Sequence, residues 1–600
     1  MLWSSLAATG RIRIRTLHRP PTTLSSLMRG NNRGTHSCMP AFRARGCRPF
    51  SSVPPLDVDD SNDIEHTDGA CPSVKVVNCG EAVLVWFPAA AEADAAAEEA
   101  SSTFDAAWLW SNCPSSVLHS SGQRTRTPGQ FPGWTIASAS ILDAEDVLSD
   151  AGSENAPQHL PIPPPPPGSC HPILGNNLFR GFVSSDNARR QSRQRLLQID
   201  WDTGGAANNG GSQCMCPSTS FFDIDWLQQW RYDDVALARR RQRSEVTTEM
   251  AIPNVDRGTD SGLFEVEYEN IVATLESSRR TSRSTNCAVF ALLRSIFSDG
   301  AAMVTNVPCI DDSGPSMSPV EVIGKAIGGG RLSHGALYGD IFHVKSMGDS
   351  AHNIAYTSQH LSPHQDLAYY ESPPGIQLLH CIGVSPTLLG GESVLIDCMA
   401  AAERLRHLAP DYFRTLATCP ATFTKQRDGA CMTYQRPHIV LKEDGSGRDC
   451  IEREIVGVNW SPPFEGPLSI RKDLVGSYYR AYAAFEYMVD NSLPLPPPRD
   501  HLLSQAEIRE FSSYAVENTW EYQLREGQML IFNNKRMLHG RRGFAEPSGV
   551  EVSAKPIRHL VGAYTNIDDT LCHYRVLLQE VGEPSAPIPN VGNGTTSSVP

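Results

Sequence analysis

The hydrophobic pattern of the amino-terminal third consists of short β-type runs separated by segments of low complexity. The runs VKVVNCGEAVLVWFP, which begins at Val74, and RLLQIDWDT, which begins at Arg195, place apolar residues over strand-like lengths. The segments between them include AAAEADAAAEEASS, a proline run at 161–167 and a glycine- and asparagine-rich patch at 204–211, which are typical of loops. We therefore predict a small β-rich domain over residues 72–235 that carries long insertions.

From about Asn270 the pattern becomes that of a regular domain in which helices and strands alternate. AVFALLRSIFSDGAAMVTNVP and PVEVIGKAIGGGRLSHGALYGDIFHVKS each predict a helix, a glycine-containing turn and an extended segment. GGESVLIDCMAAAERLRHLAP predicts a strand and a helix ended by Pro410, residues 473–490 predict an amphipathic helix, and the last strands follow. We expect a mainly β domain with flanking helices over residues 262–580, and a disordered tail at 581–600.

The first residues of the chain differ from the rest in charge. Residues 1–56 contain no Asp or Glu, while arginines are interspersed with Ser, Thr and Leu, and acidic residues begin at Asp57. This composition is typical of a mitochondrial transit peptide, with a basic disordered tail as the alternative. We expect a transit peptide at residues 1–52 and a location in the mitochondrial matrix.

The overall composition limits the classes of partner. A formal charge of -14 and a pI near 5.7 argue against nucleic-acid binding, which needs a basic surface. The chain has no uninterrupted apolar run of about 18 residues, so we expect no membrane span. Its 16 cysteines follow no repeating spacing, and in a reducing compartment most would be free thiols.

The candidate chemistry centres on the triplet His364-Gln365-Asp366. On a strand the side chains of residues i and i+2 leave on the same face, so His364 and Asp366 would point into one cavity. With His539, from MLIFNNKRMLHGRRGF, they would form a two-His-one-carboxylate facial triad, which binds Fe(II) and leaves positions open for substrate and O2. Because the chain has 18 histidines, the triplet alone also fits a hydrogen-bonded histidine beside a turn-capping aspartate.

Two further features agree with an iron site. In the alternating stretch RHLVGAY, Arg558 and Tyr564 share a strand face, so the guanidinium would point into the same barrel and could bind the distal carboxylate of 2-oxoglutarate bidentately. A surface salt bridge is the alternative. Aromatic residues also surround the triplet in the sequence, and π-faces are what holds a quaternary ammonium, although aromatics are ordinary core residues as well. These aromatics are Tyr338, Phe342, Tyr356, Tyr369, Tyr370 and Tyr564.

Together these motifs resemble the γ-butyrobetaine dioxygenase branch of the Fe(II)- and 2-oxoglutarate-dependent oxygenases. The matching segments, within about Ala288–Leu578, are GDIFHVKS, NIAYT, H-x-D followed by YYESPPGIQLLHC, GGESVLID, LHGRRGF and RHLVGAY. Two tryptophan-leucine blocks, DAAWLWSNCPSSVLHSSGQR and FFDIDWLQQW, look like the amino-terminal domain of that family. The resemblance implies a double-stranded β-helix (jelly-roll) oxygenase domain preceded by the small β-rich domain.

The resemblance also implies roles for individual residues. The iron ligands fall on His364, Asp366 and His539. The 2-oxoglutarate contacts fall on Asn353, Leu379 and Arg558, and the trimethylammonium cage on Tyr338, Phe342, Tyr356 and Tyr564. Fe(II) would be the cofactor, with 2-oxoglutarate and O2 as cosubstrates, and the resemblance allows for ascorbate and for a homodimer.

The chain departs from the family pattern at the cage. Leu367 stands where the family has a Tyr directly after the iron-binding Asp, and Phe342 stands where a Trp is often found. Each lost or weakened π-face would reduce cation binding by roughly 0.5 to 2 kcal/mol. The departures therefore concern the identity of the cationic substrate more than the iron chemistry.

A second departure concerns a structural zinc site that many family members carry in the amino-terminal domain. Cys113 is present, but Ser115 and Leu118 stand where further cysteines would fall, and a site without most of its thiolates should not hold zinc tightly. We expect this domain to fold without metal. The alternative is a substitute site built from His119, Cys214 and Cys216.

The resulting expectation is a mitochondrial dioxygenase that hydroxylates a small trimethylammonium carboxylate, with γ-butyrobetaine to L-carnitine as the leading reaction. Trimethyllysine is the nearest alternative substrate, since it carries the same cationic head group. A different small molecule without a quaternary nitrogen is a third reading. A noncatalytic mitochondrial binding protein that keeps the barrel is the alternative of another class.

Overall fold

The computed structural model describes residues 72–87, 100–113, 117–118, 123–124, 127–143, 195–203, 218–238, 259–278, 287–309, 317–333, 337–345, 357–427, 430–443, 449–494, 502–545 and 558–581, with Ile588 and Gly592. One compact unit, Thr67–Pro600, contains all of them. The expected transit peptide at 1–52 and most of the expected tail at 581–600 lie outside the described residues. The domain boundaries at 235 and 262 remain a prediction.

The amino-terminal part is β-rich, as its hydrophobic runs indicate. Its strands are β1 (Ser73–Val77), β2 (Ala82–Phe87), β3 (Ala100–Asp105), β4 (Val117–Leu118), β5 (Gln123–Arg124), β6 (Thr135–Asp143), β7 (Arg195–Asp202) and β8 (Thr219–Asp223), and its helices are α1 (Ala106–Asn112) and α2 (Ile224–Gln229). Antiparallel sheets β1-β2-β3 and β6-β7-β8 enclose a core that includes Val83, Phe104, Leu109 and Leu197.

The two tryptophan-leucine blocks fold in the same way, as a strand, a capping aspartate and a short helix. Asp105 accepts a hydrogen bond from the Ala107 amide at 2.7 Å at the start of α1, and Asp223 accepts one from the Trp226 amide at 2.9 Å at the start of α2. The rings of Trp108 and Trp226 pack with centroids 5.6 Å apart. The repeated pattern therefore pairs the two blocks in one core.

The Cys113 thiol, which the resemblance relates to a zinc motif, lies in a buried polar contact. Its Sγ donates to Ser220 Oγ at 3.1 Å, and that hydroxyl also accepts from Trp201 Nε1 at 2.9 Å. The substitute zinc ligands His119, Cys214 and Cys216 lie outside the described residues, so the prediction about zinc remains open.

The carboxy-terminal part contains the remaining elements. Its strands are β9 (Phe264–Glu267), β10 (Ala301–Thr305), β11 (Ile341–Lys345), β12 (Leu361–His364), β13 (Ile376–Val384), β14 (Leu389–Gly390), β15 (Ser393–Asp397), β16 (Pro420–Arg427), β17 (Ala430–Pro437), β18 (Ile439–Leu441), β19 (Ile455–Val458), β20 (Trp520–Tyr522), β21 (Met529–Asn533), β22 (Met537–Arg541), β23 (Phe544–Ala545) and β24 (Arg558–Thr565). Its helices are α3 (Tyr268–Ser278), α4 (Cys287–Ser298), α5 (Pro319–Ile327), α6 (Cys398–Leu408), α7 (Pro410–Thr418), α8 (Val475–Val489), α9 (Gln505–Asn518) and α10 (Ile567–Glu580).

These strands form the two facing sheets of a jelly-roll, which confirms the expected architecture of this part. The larger sheet has the order β11-β24-β13-β21-β10-β9 and the smaller has the order β12-β22-β15-β20. Consecutive strands cross between the sheets: β12 is followed by β13, and β21 by β22. The crossing leaves a pocket lined by residues of both sheets.

Helices cover the outer face of each sheet. Helices α3, α4, α5 and α10 pack on the larger sheet through residues such as Ile296, Ile323 and Leu571. Helices α6 to α9 pack on the smaller sheet, where Ile396 and Leu538 contribute the strand side of the core. The strands are therefore apolar on both faces except where they line the pocket.

A buried ion pair connects the smaller sheet to the helices. Arg536 Nε lies 2.7 Å from Asp397 Oδ2, and neither side chain is exposed. Asp397 also caps α6 through the amides of Met399 and Ala400, while Arg536 donates to the Ser298 carbonyl at 2.9 Å. The turn before β22 is thereby fixed to α6 and to the end of α4.

Most elements expected from the hydrophobic pattern are present at the expected places. The structure adds several that the sequence analysis did not predict, among them helix α7, which begins at the Pro410 that follows α6, the hairpin β16–β17, and helices α9 and α10. Proline is suited to the first position of a helix, where its missing N–H leaves no bond unmade.

Candidate active site

The three predicted metal ligands lie together inside the pocket. His364 is paired directly with His539 across strands β12 and β22, and their ring centroids are 4.4 Å apart. Asp366 Oδ1 lies 3.4 Å from His364 Nε2, and Oδ2 lies 3.7 Å from His539 Nε2. Within the described part of the chain this is the one group of three such side chains whose ligand atoms converge, all within 4.8 Å of one another.

The geometry that brings Asp366 to the histidines differs from the prediction. Strand β12 ends at His364, and Asp366 lies in the following turn, where Leu367 has a φ of 61°. Pro363 cannot donate to a ladder and is tolerated because β12 is an edge strand. The prediction that a shared strand face aligns His364 and Asp366 was therefore wrong: a turn does so.

A glycine on the facing strand permits this arrangement. A Cβ at Gly540 would lie 2.7 Å from the Leu361 carbonyl oxygen and 3.1 Å from the Pro363 nitrogen. The irregular edge strand β12 can therefore approach β22 closely only because residue 540 has no side chain, and the approach places His364 opposite His539.

The histidine nitrogens suit a divalent metal. His364 Nδ1 lies 2.9 Å from the Ser362 carbonyl, which can only accept, so Nδ1 carries the proton and Nε2 presents its lone pair to Asp366 and His539. Burial and the adjacent His364 lower the pKa of His539 to about 3, with Asp366 partly opposing them, so this imidazole is neutral. Two imidazole nitrogens and one carboxylate form the donor set that favours Fe(II) with open positions.

Asp366 is held by Tyr564, which the sequence analysis assigned only to the cage, and by two residues that it did not identify, Gln377 and Asn534. Its Oδ2 accepts from Tyr564 Oη at 2.6 Å and from Gln377 Nε2 at 2.9 Å, and its backbone is bonded on both sides by the Asn534 amide. Burial raises the pKa of Asp366, but His539, His364 and Tyr564 more than offset it, so the pKa is lowered and the group is ionised. Asn534 belongs to the NNKR turn, whose paired asparagines were the available signal.

Arg558 is a buried cation that lines the same pocket. Its side chain is 8% exposed and donates to Ser393 Oγ at 3.5 Å, and none of the carboxylates in the described residues lies within ion-pair distance. Burial lowers its pKa to about 10, so the guanidinium stays charged at neutral pH. Arg541 and Leu379 line the same pocket. This region is therefore positive and suited to an anionic ligand.

Three of the four predicted cage residues also line the pocket. Phe342 stacks on Tyr564 with centroids 5.0 Å apart, and Tyr338 packs beside Phe342 at 6.3 Å. Gly562 makes room for this arrangement, since a Cβ there would lie 2.3 Å from the Phe342 ring. Two predicted residues cannot be placed, because Tyr356 and Asn353 lie outside the described residues.

Two further aromatic side chains complete the wall. Tyr369 and Phe464 line the pocket, with centroids 5.3 Å apart, and Phe464 lies 6.4 Å from the His364 ring. Leu367 packs in the same aromatic cluster but is not among the residues that line the pocket. The pocket thus presents five aromatic rings although the family Tyr at position 367 is missing. Phe464 lies in a short turn after Pro462 that has no periodicity to predict it.

Comparison with known proteins places these features in a family context. The family model described as "Taurine catabolism dioxygenase TauD, TfdA family" matches residues 280–564. Human γ-butyrobetaine dioxygenase is 26% identical over 368 residues, covering 60% of this chain and 78% of its own length. Rat mitochondrial trimethyllysine dioxygenase is 25% identical over 360 residues, covering 59% and 69%. Dioxygenase str8 of Strobilurus tenacellus is 30% identical over 270 residues, covering 45% of this chain and about half, 54%, of its own length.

Proposed function

We propose that the protein is an Fe(II)- and 2-oxoglutarate-dependent dioxygenase, because its residues 280–564 match the TauD/TfdA dioxygenase family model. Its substrate is a small trimethylammonium carboxylate, and the leading reaction is hydroxylation of γ-butyrobetaine to L-carnitine. The observation that carries the proposal is one buried pocket that combines the convergent triad, an arginine without a carboxylate partner among the described residues, and five aromatic rings.

The triad residues would hold Fe(II) and keep it accessible. His364 Nε2, His539 and the Asp366 carboxylate would supply three ligands, and all three residues line the pocket, so a bound metal would be accessible to small molecules there. Iron bound there supplies oxidative decarboxylation of 2-oxoglutarate to succinate and CO2, coupled to oxygen insertion into a C–H bond. The role of the surrounding apolar side chains is to exclude water from the reacting atoms.

Arg558 would bind the distal carboxylate of 2-oxoglutarate. A guanidinium forms two parallel hydrogen bonds with a carboxylate, and burial strengthens them because no water competes. The neighbouring Ser393 hydroxyl is placed to share the same carboxylate, since it already lies at hydrogen-bond distance from Arg558. Leu379, on the strand β13 next to the strand of Arg558, forms part of the apolar wall.

The aromatic rings would bind the trimethylammonium group. A quaternary nitrogen has no proton to donate, so its recognition depends on π-faces. Tyr338, Phe342 and Tyr564 form one side of this wall and Tyr369 and Phe464 another. Trimethyllysine is the second candidate, because the rat trimethyllysine dioxygenase matches nearly the same share of this chain as the human γ-butyrobetaine enzyme.

The decisive experiment is an anaerobic titration with Fe(II) and 2-oxoglutarate, followed by exposure to O2 with γ-butyrobetaine or trimethyllysine in parallel. We expect succinate in a one-to-one ratio with a product that has gained one oxygen atom by mass spectrometry, and higher turnover with γ-butyrobetaine. Oxidation of neither substrate by the iron-loaded protein would point to a different small molecule. Failure to bind iron would favour a noncatalytic binding protein.

We propose that the protein is located in the mitochondrial matrix, and two observations support this proposal. Residues 1–52 have the composition of a transit peptide, and three further trimethyllysine dioxygenases similar to this chain are also named mitochondrial. Among the described residues, no helix is long and apolar enough to cross a membrane. Import of the full chain into isolated mitochondria, with a variant lacking residues 1–52 as control, tests the matrix location.

A further inference from the structure

Tyr564 contacts both the aromatic rings proposed to bind the cation and the triad proposed to bind the metal. Its ring stacks on Phe342, with centroids 5.0 Å apart and planes inclined by 26°, and its hydroxyl donates to Asp366 Oδ2 at 2.6 Å. The residue is 3% exposed and lies within strand β24, so it has little freedom to move. One rigid side chain therefore joins the proposed cation site to a proposed metal ligand.

The hydroxyl of Tyr564 acts on one particular oxygen of the carboxylate. Oδ2 of Asp366 receives both donors, Tyr564 Oη at 2.6 Å and Gln377 Nε2 at 2.9 Å, while Oδ1 faces His364 Nε2 at 3.4 Å. Two donors on one oxygen prevent the carboxylate from rotating. They also leave Oδ1 directed at the histidine that would share the metal.

We propose that Tyr564 is a positioning residue that couples the two sites, so that a cation held by the aromatic rings and a metal held by the triad bind cooperatively. This inference rests on the proposed function, since it takes the aromatic wall as the cation site. It adds a role for the hydroxyl group that is separate from the role of the ring.

The physical basis is the response of a phenol to a nearby positive charge. A cation on the π-face draws electron density from the ring, which makes the hydroxyl a stronger donor to a carboxylate. The firmer bond fixes Asp366 in its metal-binding orientation, and the effect is enlarged in a buried site. Without the hydroxyl, only direct repulsion between the cation and the metal remains, and it opposes joint binding.

The test measures metal affinity rather than turnover. Mn(II), which replaces Fe(II) without oxidation, is titrated into the full chain and followed by electron paramagnetic resonance, with and without saturating γ-butyrobetaine or tetramethylammonium. We expect the cation to tighten Mn(II) binding by about fivefold or more in the natural protein, and Mn(II) to tighten cation binding by the same factor. In Tyr564→Phe, which keeps the ring, the ratio of the Mn(II) affinity with the cation to the affinity without it should fall to one or below.

Two matched variants separate coupling from simple support of the ligand. Gln377→Met removes the other donor to Oδ2, so it should weaken Mn(II) binding but preserve the cation effect. Tyr412→Phe removes a hydroxyl that donates to Glu507 outside the pocket, so it should preserve both the Mn(II) affinity and the cation effect. An unchanged ratio in Tyr564→Phe would overturn the coupling while leaving the dioxygenase proposal intact. Absence of Mn(II) binding in the natural protein would overturn both.

Discussion

The proposed metal end of the pocket, formed by His364, Asp366 and His539, and the proposed cation end, formed by the aromatic rings, are stabilised by different interactions. At the metal end His364 and His539 are 3% and 9% exposed, and Asp366 is held by Tyr564, Gln377 and Asn534. At the cation end Tyr338 and Phe342 are half-buried, and the wall is a set of rings in van der Waals contact. A hydrogen bond fixes the relative positions of one donor atom and one acceptor atom, whereas a cation can bind to the face of any of several neighbouring rings. Substitutions should therefore be far more damaging at the metal end.

The largest effect is expected at the triad. His364→Ala removes a ligand nitrogen, so we expect no bound iron after anaerobic loading and no succinate coupled to substrate. Metal analysis and succinate assay measure both. His360→Ala is the matched control, because His360 is bonded to Asp490 and Ser492 outside the pocket and its loss should leave both readouts intact. Normal turnover by His364→Ala would refute the site.

The next largest effect is expected at Arg558. Replacement by Met removes a charge-assisted bond worth about 1.5 to 3 kcal/mol, so the KM for 2-oxoglutarate should rise by about 10- to 100-fold. Arg558→Lys keeps the charge but loses the two-pronged geometry and should fall between the natural protein and Arg558→Met. Steady-state kinetics at varied 2-oxoglutarate provide the measurement. Equal KM values in all three proteins would show that the anion binds elsewhere.

An intermediate effect is expected for the support of Asp366. Asn534→Ala removes the acceptor for the Asp366 amide and a donor to the Asp366 carbonyl, so the turn that carries the ligand should loosen. We expect metal affinity to fall by about 10- to 100-fold, the usual result of losing an outer partner of a ligand. Mn(II) titration measures it, and a thermal melt without metal monitors the fold. Unaltered affinity in a folded variant would contradict the account of this turn.

The smallest effects are expected among the rings. Phe342→Leu and Phe464→Leu each remove one π-face, worth roughly 0.5 to 2 kcal/mol, so the KM for the cationic substrate should rise by only a few-fold up to about 30-fold. The KM for 2-oxoglutarate should stay unchanged in both. If Phe464→Leu has no effect on the cation, the wall is narrower than the lining residues indicate and the family cage alone binds substrate.

The candidate metal-binding and anion-binding residues could be predicted from the sequence, but the backbone conformation that positions them could not. The H-x-D triplet, His539 and Arg558 are distinctive in type and spacing, and the structure brings them into one pocket. The turn at Asp366 could not be predicted, because a positive φ at Leu367 has no signature in a leucine. Pro363 was the available warning that the strand ends early.

Two features beside the pocket, the hairpin β16–β17 and Phe464, were also not predicted from the sequence. The hairpin β16–β17 packs Ala421 and Phe423 against Tyr369 and Phe464. Its two alternating runs flank Asp428-Gly429, a dipeptide that strongly favours a two-residue hairpin turn, so a closer reading of the sequence could have found it. Phe464 is different, because only the tertiary fold brings an isolated turn residue close to the proposed metal ligands.

Formation of the buried ion pair Asp397–Arg536 and placement of His539 depend on the same part of the fold. The two partners are 139 residues apart, and either one alone would be an uncompensated charge in the core, at a cost of about 3–5 kcal/mol. Arg536 lies just before β22, the strand that carries His539. A chain in which this ion pair has not formed therefore also lacks a fixed position for His539, the last of the proposed ligands in the sequence. We therefore expect a copy in which this pair has not formed to lack the proposed metal site as well.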